Sequence, residues 1–228
     1  LMLGRRLGHP TEQMLPNNLA FTVLGAGLLW FGWFGFNAGS ALSSGTSATL
    51  AFVNTHIAAS AAAISWTFAE WYHARTPSTL GTASGLVAGL VVITPAAGFV
   101  TPMGAVAMGL IGGVVCFLGV LLKRPLGYDD SLDAFGIHGV GGMLGALLTG
   151  VFASTALNPG GTAGVLEGNL AALWPQVAGV LATIAYAGGG TWIIVKVLEK
   201  TMGLRVSDED ERMGLDISQH GEQAYRLH

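Results

Sequence analysis

The ionisable chemistry of this chain concentrates in one stretch, Asp129 to Thr149, DDSLDAFGIHGVGGMLGALLT. Three carboxylates, Asp129, Asp130 and Asp133, precede an apolar, glycine-rich segment that holds one ionisable side chain, His138. If a helix starts near Asp130 at a membrane surface, His138 lies eight residues in, about 12 Å at 1.5 Å per residue. Half of a hydrocarbon core is about 15 Å, which puts the imidazole near the bilayer midplane. An ionisable group there is costly and by default marks a pathway or a proton relay. The bland alternative is a histidine bonded to a neighbouring carbonyl, holding helices together. A metal site built from the same residues fares worse. On an α-helix His138 stands about 140° around from Asp133, a poor geometry for one ion. Asp130 and Asp133 serve better to cap the helix and offset its dipole.

The elements that must position these residues follow from composition. Of 228 residues, 51% are hydrophobic and 10% charged, and the mean hydropathy is +0.58. A soluble domain carries about 25% charged residues, so this is an integral membrane protein. The 35 glycines agree, since small residues let transmembrane helices approach closely. The single cysteine, Cys116, lies in an apolar run, which excludes a disulfide framework and reads as packing. No cofactor and no nucleic-acid partner are expected; the lipid bilayer is.

Six apolar segments are predicted to span, at about 18–41, 48–72, 79–99, 103–122, 131–153 and 169–200. The last exceeds the need and should tilt or project. Breakers stand at Ser43-Ser44-Gly45, Thr76-Pro77-Ser78, Gly98 to Pro102, Pro125 to Gly127 and Asn158 to Gly161. The fold expected is all-α, a polytopic membrane helical bundle. All ten lysines and arginines fall at the start, at the 72–79 and 123–130 joints, or from the end of the last span onward. The loops at 42–47, 98–103 and 154–168 hold none. The positive-inside rule then places both ends in the cytoplasm. The chain divides into residues 1–17, the last turn of a span plus a loop; 18–202, the six-helix body; and 203–228, a cytoplasmic tail.

Other polar residues carry weaker signals. Gly81, Gly85 and Gly89 form a GxxxGxxxG stripe, and Gly35/Gly39 and Gly141/Gly145 are small-xxx-small pairs, all best read as helix packing. The first span contains Phe31, Trp33, Phe34 and Phe36, with Asn37 and Ser40 near its outer mouth. Such aromatics are interfacial anchors or, beside a hydroxyl, faces for a small cation. Asn37 needs a hydrogen-bond partner inside the span. His56 lies within the second span, with Asn54, Thr55 and Ser60 for company, and reads as packing more readily than as pathway. His73 and Glu70 read as surface groups. The tail holds the acidic run Asp208 to Glu211. Its apolar residues, Leu204, Val206, Met213, Leu215, Ile217 and Tyr225, predict docking rather than disorder.

Five stretches together resemble the ammonium transporter family (Amt/Mep/Rh). They are GWFGFNAGS at 32–40, AFVNT at 51–55, GLVVITPAAGFV at 89–100, DDSLDAFGIHGVGG at 129–142 and GLRVSDEDERMGLDISQHGEQAY at 203–225. The resemblance implies a homotrimer of eleven-helix subunits in the cell membrane, spans one to five relating to six to ten by an inverted repeat. This chain is similar to the second repeat, the eleventh helix and the tail, and so reads as a fragment or one piece of a split protein. By resemblance, His138 matches the second pore histidine, Phe36 one ring of the outer gate, and Ser40 the hydroxyl of the outer cation-recruitment site. Asp130 and Asp133 match the acidic start of the pore helix. Asp216, Ser218, His220 and Glu222 fall in the regulatory tail, which in many bacterial members adjoins a docking PII-type signalling protein. Ser218 stands where some plant members carry a phosphorylatable threonine.

The implied activity is passage of ammonium, or its analogue methylammonium, as neutral ammonia. Taking a bare cation into low dielectric costs up to about 20 kcal/mol. Deprotonating an amine whose pKa lies a few units above 7 costs about 3–5 kcal/mol. Desolvation disfavours the charged form of an imidazole, and a neutral one both donates and accepts hydrogen bonds. It can therefore line the path for ammonia and relay a proton. A membrane sensor of ammonium, signalling through its tail, is the alternative function; an enzyme is not expected.

Overall fold

The computed structural model describes residues 2–12 and 14–223, and among these every regular element is helical. Helix ends follow local capping chemistry. Helix α1, Leu19–Gly39, starts where the Asn18 side chain accepts from the Phe21 amide at 3.0 Å. Helix α2, Thr46–Ala74, ends at Arg75, which adopts φ 66° just before Pro77. Helix α3, Thr79–Ile93, is capped by Ser78, whose hydroxyl accepts from Gly81 and donates to the Glu70 carboxylate. Glu70 thus lies by the positive end of α3, where a carboxylate is favoured. Helix α4, Pro102–Leu121, begins with the Thr101 hydroxyl on the Gly104 amide and proline in the first turn. A single turn, α5 (Lys123–Leu126), precedes the acidic loop. Then come a π-turn over Phe135–Gly139, α6 (Val140–Phe152) and α7 (Leu173–Thr201). The tail folds as α8, Asp208–Met213, and α9, Leu215–His220.

Five of these stretches are long and apolar enough to cross a membrane: Leu19–Gly39, Thr46–Ala74, Pro102–Leu126, Phe135–Phe152 and Leu170–Thr201. The segment predicted at 79–99 differs. Its helix stops at Ile93 after 15 residues, about 22 Å against a core of about 30 Å. Pro95 has no amide to continue the ladder and disfavours helix at Thr94 before it. Residues 94–100 form turns, with Ala96, Ala97 and Val100 buried. Irregular backbone at membrane depth is tolerated where protein buries it and satisfies its polar groups. Asn54 on α2, fully buried, does so by donating to Ala97 O at 2.9 Å and Val100 O at 2.8 Å. Residues 2–12 alternate turns and irregular backbone.

The chain separates into two compact units. The larger comprises Met14–Leu126 and Asp130–Ala182. Its centre is α2, gripped by glycines on both sides. A Cβ at Gly85 would stand 2.4 Å from Trp66 Cβ, and one at Gly89 2.4 Å from Ala58 O, so the α3 stripe meets α2 in van der Waals contact. Gly109 and Gly113 of α4 approach Ala58 O and Ala62 O as closely. Gly141 and Gly145 press α6 onto α3, whereas nothing lies within 4 Å of a Cβ at Gly35 or Gly39. In the connection after α6, Glu167 accepts from the amide and hydroxyl of Thr155 at 3.1 and 3.0 Å. The Ser154 hydroxyl, with those two donors, holds the Glu167 carboxyl below its usual range.

The smaller unit comprises Leu1–Gln13, Gly127–Asp129 and Thr183–His228. Arg6 makes a fork to Asp129, Nε to Oδ2 at 2.8 Å and Nη2 to Oδ1 at 2.5 Å, and its amide also donates to Oδ2 at 2.9 Å. Glu211 accepts from the Leu7 amide at 2.8 Å and pairs with Arg205, which donates to Arg5 O at 2.6 Å. The tail is therefore ordered against residues 3–7; Tyr225, expected among its anchors, lies outside the described residues.

These contacts give an acid-dependent expectation. The Arg6 side-chain hydrogen bond holds the Asp129 carboxyl down from 3.8 to about 2. A depressed carboxyl pKa contributes stability above its unfolded value, lost as pH falls from about 4 to about 2. The Asp129 side chain is 8% exposed but Arg6 is 38% exposed, so screening leaves about 1–2 kcal/mol of the nominal shift. The Arg6 and Leu7 amides should lose protection, relative to their intrinsic exchange rates, below pH 3, and Asp129→Asn should produce the same loss at neutral pH. Unchanged exchange in that variant at pH 7 would show that the fork does not hold the arm.

Candidate functional site

The helix that carries His138 is launched by two carboxylates used differently. Asp130 accepts from the Ala134 and Phe135 amides at 3.0 and 2.9 Å, satisfying two of the first free donors. Asp133 takes the left-handed region, φ 55°, and pairs through its side chain with Lys123. Its carbonyl accepts from Ile137 at 3.0 Å. The left-handed residue breaks the helix that the sequence led us to start near Asp130. Helical turns begin at Ala134, so His138 is four residues in, about 6 Å rather than about 12 Å. The 140° argument also changes, because Phe135–Gly139 is a π-turn and Val140 N reaches Phe135 O, five residues back. What separates the carboxylates from His138 is their engagement: Asp129 with Arg6, Asp130 with amides, Asp133 with Lys123.

The π-turn fits its surroundings. The Gly136 backbone lies against α4, where a Cβ would meet Val120 N at 2.8 Å, and Gly119 returns the close approach at Gly136 O and Val140. Gly136, Gly141 and Gly145 all face packed neighbours. The first two are five apart, a spacing that the wider i→i+5 turn brings onto one face and an α-turn does not. Ile137 is buried at this contact, while His138 is exposed on the surface of its unit. The imidazole makes no hydrogen bond among the described residues, so backbone placement alone sets it.

On α1, Phe36 is 59% exposed and meets Trp33 edge-on, with centroids 5.9 Å apart and planes at 88°. Trp33 Nε1 donates to Thr94 Oγ1 at 2.8 Å, and that hydroxyl donates to Leu90 O at 2.7 Å. The pair is thus tied to the end of the short α3. Gly25, Leu28, Leu29, Gly32, Trp33 and Phe36 line an open apolar groove of about 500 Å³. Ser40 donates its hydroxyl proton to Phe36 O at 2.7 Å and is exposed, so its lone pairs remain to accept from a cationic N–H donor. Asn37 is buried and donates to Thr55 Oγ1 at 2.9 Å, a structural bond. His56 stacks on Trp30, with centroids 5.1 Å apart, and is exposed.

In the tail, Asp216 occupies the first turn of α9, where a negative charge suits the helix dipole, and His220 occupies the last. The Glu222 amide closes this turn on Asp216 O at 2.9 Å, with Gly221 at φ 66°. The Ser218 hydroxyl is buried and has no hydrogen-bond partner among the described residues. Sequence reasoning missed Lys123, the Trp33–Thr94 bond and the role of Asn54. Only Asn54 left a signal, a carboxamide in an apolar span with a proline-broken segment to satisfy.

A family profile described as the Ammonium Transporter Family matches residues 1–225. An ammonium transporter of Aquifex aeolicus is 53% identical over 228 residues, covering 100% of this chain and 52% of that protein. The crystal structure of Saccharomyces cerevisiae Mep2 aligns with a TM-score of 0.83 at 35% identity, over 88% of this chain and 46% of its own. The structure of a Sensor Amt Protein aligns with a TM-score of 0.84 at 31% identity, over 96% and 54%. The chain spans about half the length of the curated relatives it matches.

Proposed function

This chain belongs to the ammonium transporter family and is a multi-pass membrane protein, and from that premise we propose that it is the second half of an ammonium transporter that conducts ammonia past His138. The observation that carries the reading is the exposed imidazole on a rigidly seated π-turn, in the same compact unit as the Trp33–Phe36 pair and Ser40. Ser40 accepts a hydrogen bond from ammonium at the outer mouth. Phe36 excludes water beyond it. The ion loses its proton there, because deprotonation at about 3–5 kcal/mol is far cheaper than carrying the charge inward. His138 then accepts or donates a hydrogen bond to ammonia and relays the proton. Asp130 and Asp133 anchor the cytoplasmic start of the helix. The subunit works in the cell membrane as a homotrimer with both ends of this chain cytoplasmic, and it is not an enzyme. Methylammonium uptake by proteoliposomes tests the reading. The full-length transporter should take it up, and vesicles holding only these 228 residues should not, because half of the pore wall is missing. Robust uptake by this chain alone would sink it.

The tail is an ordered gate-coupling element in this reading, presented to a PII-type signalling protein at the cytoplasmic face. The buried Ser218 hydroxyl supports it: Ala fits the same space, but a carboxylate or phosphate must be desolvated next to Asp216 and Glu222. Ser218→Asp, or removal of everything after Arg205, should cut flux severalfold, while Ser218→Ala should conduct as wild type. If both Ser218→Asp and the truncation conduct normally, the tail has no part in gating. The similarity to a Sensor Amt Protein supports the second reading, an ammonium sensor. Ammonium binding without flux in the full-length protein would favour it.

A further inference from the structure

We infer that Lys123, acting through Asp133, is a positioning residue for His138; the inference rests on the pore reading above. Lys123 opens α5 at the foot of α4 and sends its ammonium across to the turn before the π-turn. There it pairs with the Asp133 carboxylate and donates to Asp130 O at 3.2 Å, so one cation holds both residues that launch the helix. The pair is partly buried, with side chains 28% and 27% exposed. It holds Asp133 in the left-handed region, which a non-glycine residue occupies only at some cost. That conformation aims the Asp133 carbonyl at Ile137 N and turns the Asp130 carboxylate onto the Ala134 and Phe135 amides.

Downstream, the turn has a second fixed point where Gly136 lies against Val120 of α4. Val120 in the last turn of α4 and Lys123 at the head of α5 are three residues apart, so the foot of α4 and the turn that follows it grip the π-turn along its flank and at its start. The imidazole between these points has no hydrogen bond of its own among the described residues. Its position in the pore follows the backbone, and the backbone follows the tether. Releasing Lys123 leaves Asp133 free to return to an ordinary helical or extended conformation. The residues from Ala134 to Gly139 then lose their register against α4, and the ring moves.

The test uses the full-length transporter. Lys123→Met and Asp133→Asn should each lower methylammonium flux per molecule about tenfold, Lys123→Arg should keep most of it, and the double variant should be no worse than either single one. Asparagine tolerates the left-handed region, so Asp133→Asn removes the charge without adding strain. A through-space effect of charge on the pore predicts opposite signs for the two single variants; a cut tether predicts the same sign. Amide exchange supplies a readout apart from transport, rising about tenfold over 134–140 in both variants and unchanged over 142–149. Wild-type flux in Lys123→Met, opposite effects of the two substitutions, additive losses in the double variant, no recovery with Lys123→Arg, or exchange that rises through all of α6 or not at all would each overturn the inference. His138→Ala, measured alongside, keeps the two readings apart. Wild-type flux there removes the pore reading itself, whereas flux lost with His138→Ala but kept with Lys123→Met removes only the tether.

Discussion

Replacing His138 with Ala in the full-length transporter should lower ammonium flux about a hundredfold or more, the scale of a lost proton-transfer group. The side chain stands exposed on its unit, carried by a π-turn whose flanking residues Gly136 and Ile137 are buried. Removing an exposed ring leaves that packing in place, so the protein should reach the membrane in normal amounts. The loss should therefore appear per molecule, with proteoliposomes of matched protein content. His56 is the control within the same unit. It is also an exposed imidazole in a spanning helix, but it is stacked on Trp30, and His56→Ala should keep flux near wild type. Equal flux in wild type and His138→Ala would remove His138 from the pore. Equal losses in the two variants would mean that the effect is not specific to the π-turn.

The second large effect should come from Gly145→Val. A Cβ at Gly145 would lie 2.3 Å from Val92 O and 3.1 Å from Val92 Cα, and both are backbone atoms on α3. A flexible side chain can yield by a few tenths of an ångström; a helix backbone cannot. The helices must separate, which costs about 3 kcal/mol or more. Separation also strips contact from Val92 and Ile93, which are fully buried, and from Gly141, which lies against Cys116. The expected result is loss of monodisperse protein in detergent, or a thermal midpoint lower by several degrees. Gly188→Ala on α7, with nothing within 4 Å of the added carbon, should hold or slightly raise that midpoint, since alanine favours the helix by about 1 kcal/mol. A Gly145→Val protein as stable as wild type would mean that α3 and α6 are not packed as described.

Much of this molecule was legible in its sequence, because a bilayer imposes conditions that act along the chain. Apolar runs of about 20 residues must be helices, and five of the six predicted segments are helices of spanning length. The caps at Asn18, Ser78 and Thr101 are likewise local chemistry. The expected partner for Asn37 proved to be Thr55. The segment at 79–99 is helical only as far as Ile93, for a reason that hydropathy does not register. ITPAAGFV is apolar throughout, so it reads as span, yet Pro95 ends the helix, and Asn54, about forty residues earlier in sequence, satisfies the turn that follows.

The start of the His138 helix divides the two contributions. Residue types by themselves determined that an ionisable ring sits in an apolar, glycine-rich helix behind a cluster of carboxylates. They could not determine where that helix begins or what kind of turn carries the ring. Asp133 is left-handed with its carboxylate on Lys123, and Lys123 lies ten residues earlier on another helix. The π-turn exists where Gly136 and Gly119 let two backbones meet and where Gly136 and Gly141, five residues apart, both pack against α4. A spacing of five residues is off-face on an α-helix and on-face on a π-helix. The local sequence permits either, and the neighbouring helix, by its shape, selects one.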